Sequence, residues 1–181
     1  EVNYTTFQAV SGSGQKGIDD LTRTKEGLNP EFYPYDISKT CIPQIDVFLD
    51  NDYTKEEMKM VLETQKILHR DSLKVSATCI RVPIVNAHGV SVVVKLNQPF
   101  EIDDIRKTLS SFAGIKVLDD PEHSIYPVST VATGNDLVYV GRIRRDLIDP
   151  QRVIFYCVSD NVRKGAASNA VLIAKMAIES L

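Results

Sequence analysis

One stretch, residues 76–88, constrains most strongly what this chain can fold into. It reads Ser-Ala-Thr-Cys-Ile-Arg-Val-Pro-Ile-Val-Asn-Ala-His, a run of apolar and β-branched residues interrupted by Pro83. Such residues favour a strand, and a proline ends a strand or confines it to a sheet edge. The stretch therefore predicts a strand that runs into a loop, with Arg81 on the strand and His88 at the end of the loop.

Arg81 and His88 are the two side chains of this stretch that can do chemistry. A guanidinium binds a carboxylate through two parallel hydrogen bonds. An imidazole is the side chain that exchanges protons near neutral pH. The pair predicts a substrate site, although on residue types alone a structural arginine and a capping histidine are the more frequent explanation.

The periodicity of the whole chain predicts an α+β domain. Strands are expected at 2–9, 44–49, 73–82, 90–97, 137–144 and 152–158, and helices at 16–24, 54–69, 101–112 and 165–180. The helix at 54–69 has the clearest start, because Thr54 and Glu57 form a capping box. Hairpin-like neighbouring strands predict a mixed, largely antiparallel sheet with helices packed on one face. The intervening stretches 25–43 and 119–136 are expected to be irregular.

Composition excludes several classes of protein. With 181 residues and a net charge of −3, the chain predicts one domain with a sizeable core and no surface for nucleic acid. No apolar run approaches the length of a membrane span, and the first residues lack the pattern of a secretory signal. Three widely spaced cysteines predict neither disulfides nor a metal site. We therefore expect a cytoplasmic protein with no metal and no membrane partner.

One glycine motif invites a misleading interpretation. Residues 12–17, Gly-Ser-Gly-Gln-Lys-Gly, fit the G-x-G-x-x-G pattern of dinucleotide-binding folds. That fingerprint also needs a second strand ending in an acidic residue about 20 residues later. Residues 30–36 are aromatic and proline-rich instead, so we expect no cofactor at this turn.

The residues in five segments, which follow one another in a fixed order, resemble the aspartate-semialdehyde dehydrogenase family. The segments are Thr6–Gly12, Glu56–Lys59, Ser76–His88, Gly141–Asp146 and Ser159–Ala167. The resemblance covers essentially the whole chain. It implies the catalytic and dimerisation domain shared with glyceraldehyde-phosphate dehydrogenase, whose sheet mediates dimer formation through a large apolar face. A homodimer is therefore expected.

The resemblance also implies a missing half. Family members begin with an NADP-binding domain and a nucleophilic cysteine, both of which precede the segment that here starts at Thr6. We therefore expect residues 1–181 to be a single carboxy-terminal domain whose start is a truncation point, and expect it to be inactive alone. The complete enzyme would reduce β-aspartyl phosphate to aspartate semialdehyde with NADPH and release phosphate, in lysine, threonine and methionine biosynthesis.

Two catalytic roles follow from the resemblance. Gln8 matches the glutamine that lies beside the nucleophile and orients the substrate, and His88 matches the general acid/base. Without the resemblance, Gln8 is an ordinary polar residue at a strand end. Family members often carry a serine after the histidine, whereas this chain has Gly89, which leaves the partner of the imidazole open.

Four binding roles follow as well. Arg81 matches the residue that holds the substrate carboxylate, Glu56 the receptor of the substrate ammonium, and Lys59 a phosphate ligand. On spacing alone, an exposed charged row on a helix is the better explanation of Glu56 and Lys59. Asn161 matches a position near the nicotinamide of NADP, although Asp160 or Asn161 could simply cap the last helix.

Two alternatives to this enzyme stay open. The chain could be a dimerisation module that has lost catalysis. It could also resemble N-acetyl-glutamyl-phosphate reductase, which acts on an acylated amine and has no need of Glu56.

Overall fold

The β-branched segments of the chain pair into one six-stranded sheet. In chain order the strands are β1 (Val2–Gln8), β2 (Val75–Arg81), β3 (His88–Lys95), β4 (Ile115–Val117), β5 (Val138–Arg145) and β6 (Arg152–Ser159). They lie side by side in the order β2-β1-β3-β6-β5-β4. The pairs β1–β2 and β4–β5 are parallel, and the three pairs between them are antiparallel. The computed structural model describes residues 1–179, and within them it confirms the α+β class and the mixed sheet.

Within residues 1–179, five α-helices connect or flank the strands. They are α1 (Gln15–Lys25), α2 (Lys55–Ile67), α3 (Ile102–Ser111), α4 (Ser129–Ala132) and α5 (Ser168–Glu179), with 3₁₀ turns at Val10–Ser13 and Pro121–His123 and a π-helical turn at Arg163–Ala167. The predicted capping box starts α2: the Thr54 hydroxyl accepts from the Glu57 N–H at 3.3 Å, and the Glu57 carboxylate accepts from the Thr54 N–H at 2.8 Å. Thr54 is fully buried, so this cap anchors the helix inside the domain.

The helices α2 and α3 cover the same face of the sheet. The Thr64 hydroxyl of α2 lies 3.4 Å from the hydroxyl of Tyr4, and the apolar side of α3 packs in a cluster with Val94 of β3 and Val140 of β5. Because cross-strand partners share a face, the register that pairs Val2 with Val94 places Tyr4 and Val94 on one side. This confirms helices packed on one face for α2 and α3, whereas the single turn α4 lies on the other side, where Ala132 packs beside Tyr139.

The opposite face of the sheet is largely uncovered by helices. Its middle row runs across four neighbouring strands through Thr78, Thr5, Ser91 and Tyr156. This face is therefore richer in hydroxyl groups than the large apolar face that the family resemblance implies. We refer to it below as the open face.

The expected strand at 44–49 is wrong. Only Phe48 forms a bridge, to Thr54, and Asp46 has a φ of 69°, which interrupts an extended backbone. Val47 and Phe48 are more than half exposed, so no sheet covers their apolar side chains. Their alternating pattern belongs to a surface loop that leads into α2.

The other expected elements are present with shifted ends. The strand expected at 90–97 starts earlier, at His88, which places the histidine on the sheet. The helix expected at 165–180 is preceded by the π-helical turn and is described to Glu179, so its expected last residue lies outside the described part of the chain. Three-residue β4 lies where no element had been named, in the short segment 115–118.

Within residues 1–179, no helix is long and apolar enough to cross a membrane, and no group of three or more histidine, cysteine, aspartate or glutamate residues could hold a metal ion. The three cysteines Cys41, Cys79 and Cys157 are all free thiols.

Candidate functional site

Three predicted site residues meet where three neighbouring strands end or begin. The parallel register of β1 and β2 pairs Gln8 with Arg81, although they lie far apart in sequence. The antiparallel register of β1 and β3 continues to place His88 beside Gln8. All three side chains are on the face covered by α2, and they open into a cavity of about 620 Å³.

All six predicted site residues line this cavity. Its walls comprise Gln8, Gly12, Ser13, Phe32, Ile45, Asp46, Glu56, Lys59, Arg81, His88, Asn161 and Gly165. Glu56 and Lys59 reach it from the first turns of α2, and Asn161 from the end of β6. The structure thus brings the six residues together, while their chemical roles stay predictions.

His88 is held by a backbone group. The Ala9 N–H donates to Nδ1 of the imidazole at 3.1 Å. Since an N–H can only donate, Nδ1 carries no proton, and the neutral ring carries its proton on Nε2. Burial, together with the charge of Arg81, lowers the pKa of His88 to about 4. The imidazole is therefore neutral at pH 7 and offers an Nε2–H to the cavity.

Arg81 is buried and is fixed by the same residue. Its Nη1 donates to the Ala9 carbonyl at 2.7 Å, so the two backbone groups of Ala9 hold Arg81 and His88 respectively. Burial lowers the pKa of Arg81, but a guanidinium stays charged in proteins. Four of its five N–H groups have no partner among the described residues, which leaves a fork for an anion.

Glu56 is the acceptor at the centre of a polar cluster. Its Oε1 accepts from the Gln8 amide at 3.1 Å, and its Oε2 is 2.8 Å from Lys59 Nζ. Burial raises the pKa of Glu56, but the hydrogen bonds from Lys59 and Gln8 outweigh it, so the net pKa is lowered. The carboxylate is thus ionised. The charged row expected on α2 exists, but its first pair faces the cavity.

The position of Glu56 depends on its neighbour in the chain. The Glu57 carboxylate, which caps α2, uses its other oxygen to accept from the backbone N–H of Cys79 on β2 at 3.0 Å. This bond ties the first turn of α2 to the strand that carries Arg81. The capping box was predictable from the sequence, but this bond to β2 was not.

Gly12 forms part of the cavity because it has no side chain. A Cβ at this position would lie 2.9 Å from Arg81 Nη1 and 3.0 Å from His88 Nε2. The glycine was expected to serve only the turn. Instead it leaves room for the two functional side chains, a role that the segment Thr6–Gly12 alone does not reveal.

Asp160, not Asn161, caps the turn that precedes α5. One Asp160 oxygen accepts from the N–H groups of Val162 and Arg163, each at 2.9 Å, and the other accepts from Gly134 at 2.8 Å. The Asn161 amide does not cap this turn but contacts residues 87 and 11. Its oxygen accepts from the Ala87 N–H at 3.0 Å, and its nitrogen lies 3.0 Å from the Ser11 hydroxyl.

Gly89 lies on the other side of the sheet from the imidazole. Successive side chains of β3 alternate, so a serine at residue 89 would face the open face and not His88. A Cβ at Gly89 would overlap the Tyr156 hydroxyl. The partner of His88 is therefore the Ala9 N–H, and the missing serine leaves the imidazole unaffected.

Two other candidates do not form sites. Of the glycines at 12–17, Gly12 lies in the 3₁₀ turn and Gly17 lies inside α1. Residues 31–36 contain no strand, so the second strand of a dinucleotide fold is absent from this described segment. Cys79 is fully buried, and burial raises the pKa of its thiol to about 11. Such a thiol is a poor nucleophile.

These features define a class of protein: an α+β domain whose strand ends hold a guanidinium fork, a neutral imidazole and an ionised carboxylate around one cavity. Residues 1–164 match the family model described as semialdehyde dehydrogenase, dimerisation domain. The chain belongs to this family.

Similar curated proteins share the family. The aspartate-semialdehyde dehydrogenase of Campylobacter jejuni is 40% identical over 186 residues, covering 98% of this chain and 54% of that protein. The protein of the same name from Bacillus subtilis is 41% identical over 189 residues, covering 97% of this chain and 55% of that protein. The chain thus spans about half the length of the curated relatives that it matches.

Solved structures agree with the fold. Aspartate semialdehyde dehydrogenase II from Vibrio cholerae, complexed with ASA, superposes with a TM-score of 0.92 at 41% identity, covering 98% of this chain and 54% of that one. The enzyme from Candida albicans, solved with NADP, superposes with a TM-score of 0.70 at 25% identity, covering 97% and 49%. The fold is thus that of the glyceraldehyde-phosphate dehydrogenase-like domain of these enzymes.

Proposed function

We propose that this chain is the substrate-binding and dimerisation domain of an NADP-dependent aspartate-semialdehyde dehydrogenase, which reduces β-aspartyl phosphate to aspartate semialdehyde and phosphate. The observation that carries the proposal is the convergence of Gln8, Glu56, Lys59, Arg81 and His88 on one cavity. A dimerisation module without catalysis has no need for that convergence. The names of the relatives support the same substrate.

The charges of the cavity suit an α-amino acid. Arg81 keeps its outer N–H groups for the α-carboxylate, and the ionised Glu56 can accept the α-ammonium. An N-acylated substrate has no ammonium to replace Lys59 on Glu56, so Lys59 could bind the phosphate only by leaving the Glu56 carboxylate without its cationic partner. This favours aspartyl phosphate over an N-acetylated substrate.

Lys59 is the proposed phosphate ligand. In the structure its ammonium pairs with Glu56, and half of its side chain is exposed. An incoming substrate ammonium would replace it on Glu56 and leave Lys59 free to bind the phosphate. Gln8, which donates to the same carboxylate, would turn its amide toward the substrate.

His88 is the proposed proton donor. His88 lines the cavity, so the neutral ring can donate its Nε2–H as a hydrogen bond to the substrate oxygen that gains negative charge. It transfers a proton only after taking one up itself, because loss of Nε2–H from the neutral ring would leave an imidazolate. The nucleophilic cysteine would come from the part of the relatives that this chain does not span. Bound NADPH would supply the hydride. Asn161 keeps one amide N–H beyond its contact with Ser11 and is the proposed cofactor contact, on the cavity wall that it shares with Gly165.

The proposal includes a homodimer and a cytoplasmic location. The family description supports dimerisation, and we propose the open face as the surface for the second copy. Free thiols at all three cysteines fit a reducing compartment.

The test is an assay of the full-length gene product with aspartate semialdehyde, NADP and phosphate. We expect His88→Gln to lower kcat by about 100-fold or more, because a positioned acid/base contributes 10²–10⁴-fold. Arg81→Lys should raise KM about tenfold by losing the fork. His69→Gln, at an exposed position, is the matched control.

Inactive wild-type protein would reject the enzyme proposal. If the protein turned over N-acetylglutamate semialdehyde in preference to aspartate semialdehyde, the proposed substrate would be rejected. The 181-residue chain by itself should show no turnover of NADPH.

A further inference from the structure

We propose that Asn161 is a positioning residue for His88, acting through the backbone of Ala87. The expected effect on catalysis rests on the proposed function, whereas the effect on the imidazole does not. The observation behind the proposal is that one amide side chain joins the two loops on either side of the imidazole.

The orientation of the Asn161 amide follows from its partners. The Ala87 N–H is a donor, so it can meet only the oxygen of the amide, at 3.0 Å. The nitrogen then faces the Ser11 hydroxyl at 3.0 Å. Asn161 thus links the residue before His88 to the turn after Gln8, from a third element, the end of β6.

Ala87 is a residue that needs such a partner. It is buried and has a φ of 72°, a conformation that alanine adopts at a cost of order 1 kcal/mol. In this conformation its N–H donates to the Asn161 side chain. If the bond to Asn161 is lost, the backbone at Ala87 can relax to a less strained φ. Because His88 is the next residue, this relaxation would shift the imidazole.

The rest of the loop is already tied to the same turn. The Val10 N–H donates to the Ile84 carbonyl at 2.8 Å, and the Ser11 N–H donates to the Val85 carbonyl at 3.1 Å. Asn161 supplies the bond at the far end of this loop. Together these bonds hold the Ala9 N–H at His88 Nδ1, and this contact keeps the ring proton on Nε2.

The first test reads the ring directly. Long-range ¹H–¹⁵N NMR of the 181-residue chain, labelled at histidine, distinguishes the two neutral tautomers at pH 7. Wild type should show His88 as a single Nε2–H tautomer, with exposed His69 and His123 as reference signals. Asn161→Ala should give a mixture of tautomers at His88. Asn161→Asp, which keeps an acceptor for Ala87, should restore the single tautomer.

Asn97→Ala is the matched control, since Asn97 is exposed after the far end of β3. If Asn161→Ala alone does not fold, the NMR measurement is made on the double variant Asn161→Ala/Ala87→Gly. Glycine adopts the φ of residue 87 without strain, so the second substitution removes the strain that the lost bond no longer offsets. A folded Asn161→Ala variant that retains the single Nε2–H tautomer would overturn the proposal, as would a wild-type ring protonated on Nδ1.

The second test uses the full-length protein. Asn161→Ala should lower kcat on the order of 10-fold to 100-fold, the scale of a misplaced catalytic group, with KM for aspartate semialdehyde nearly unchanged. Asn161→Asp should recover most of this loss. A change in KM for NADP alone would instead mean that Asn161 only contacts the cofactor. If the ring signals change and the full-length wild type is inactive, the positioning role stands and the proposed enzyme activity fails.

Discussion

At the scale of single residues, the sequence anticipated which side chains share the cavity but not what holds them. Arg81 and His88 stand out because polar residues interrupt an apolar strand. Their shared partner is the peptide backbone of Ala9, and a backbone group has the same chemistry at every position in a sequence. Gly12 was missed for a related reason: the space that a glycine leaves is visible only when the neighbours are known.

The lowered pKa of His88 predicts how stability depends on pH. The unfolded imidazole takes up a proton below about pH 6.5, while burial and Arg81 keep the folded one neutral down to about pH 4. Stability is therefore unaffected above the unfolded pKa and is lost as pH falls toward the folded pKa. The loss should reach about 2 kcal/mol at pH 5.

Urea unfolding at pH 7 and pH 5 measures this loss. His88→Gln should remove the part of the stability loss that is due to this residue, whereas the His69→Gln variant should show the same loss as wild type. Equal pH dependence in wild type and His88→Gln would contradict the prediction.

At the scale of elements, the five longer strands of the sheet were predictable and the surface loop at 44–49 was not. Local alternation of apolar residues is the same in both cases, but only tertiary contacts decide whether a partner strand is present. The start of α2 was predictable because a capping box is a local signal. The short β4 was not named, since three residues carry too little pattern.

The contact between β3 and β6 gives an element-scale prediction. Tyr156 occupies the space over Gly89, so Gly89→Ser should destabilise the domain by about 1–3 kcal/mol through overpacking. In a Tyr156→Leu background, the same serine should cost less than about 1 kcal/mol. A double-mutant cycle by chemical denaturation measures both.

The control for this cycle is Gly165→Ser, because the nearest atoms to a Cβ there lie 3.9 Å away. Equal costs of Gly89→Ser in both backgrounds would show that Tyr156 is not the obstacle.

At the scale of the whole molecule, the open face is the surface that we propose for the dimer. Its hydroxyl-rich middle row could not be foreseen, because face assignment depends on the register of four strands. Thr5 lies in that row between Thr78 and Ser91. In a twofold dimer each substitution appears twice, so Thr5→Arg should place two unpaired charges at the interface.

Sedimentation at micromolar concentration tests the prediction. Wild type should be a dimer and Thr5→Arg a monomer. Ile67→Arg, on the helix side of the domain and 72% exposed in the isolated chain, should remain dimeric. Monomeric wild type, or a dimeric Thr5→Arg variant, would show that the open face is not the interface.

The double role of Ala9 has a consequence for which experiments can detect its contribution to the site. Its N–H orients the imidazole and its carbonyl anchors the guanidinium, yet its side chain takes no part in either contact. Mutational scanning with alanine passes over a residue that is already alanine. Only a change to the main chain itself, such as an amide-to-ester replacement by chemical synthesis, would remove the N–H while leaving every side chain in place.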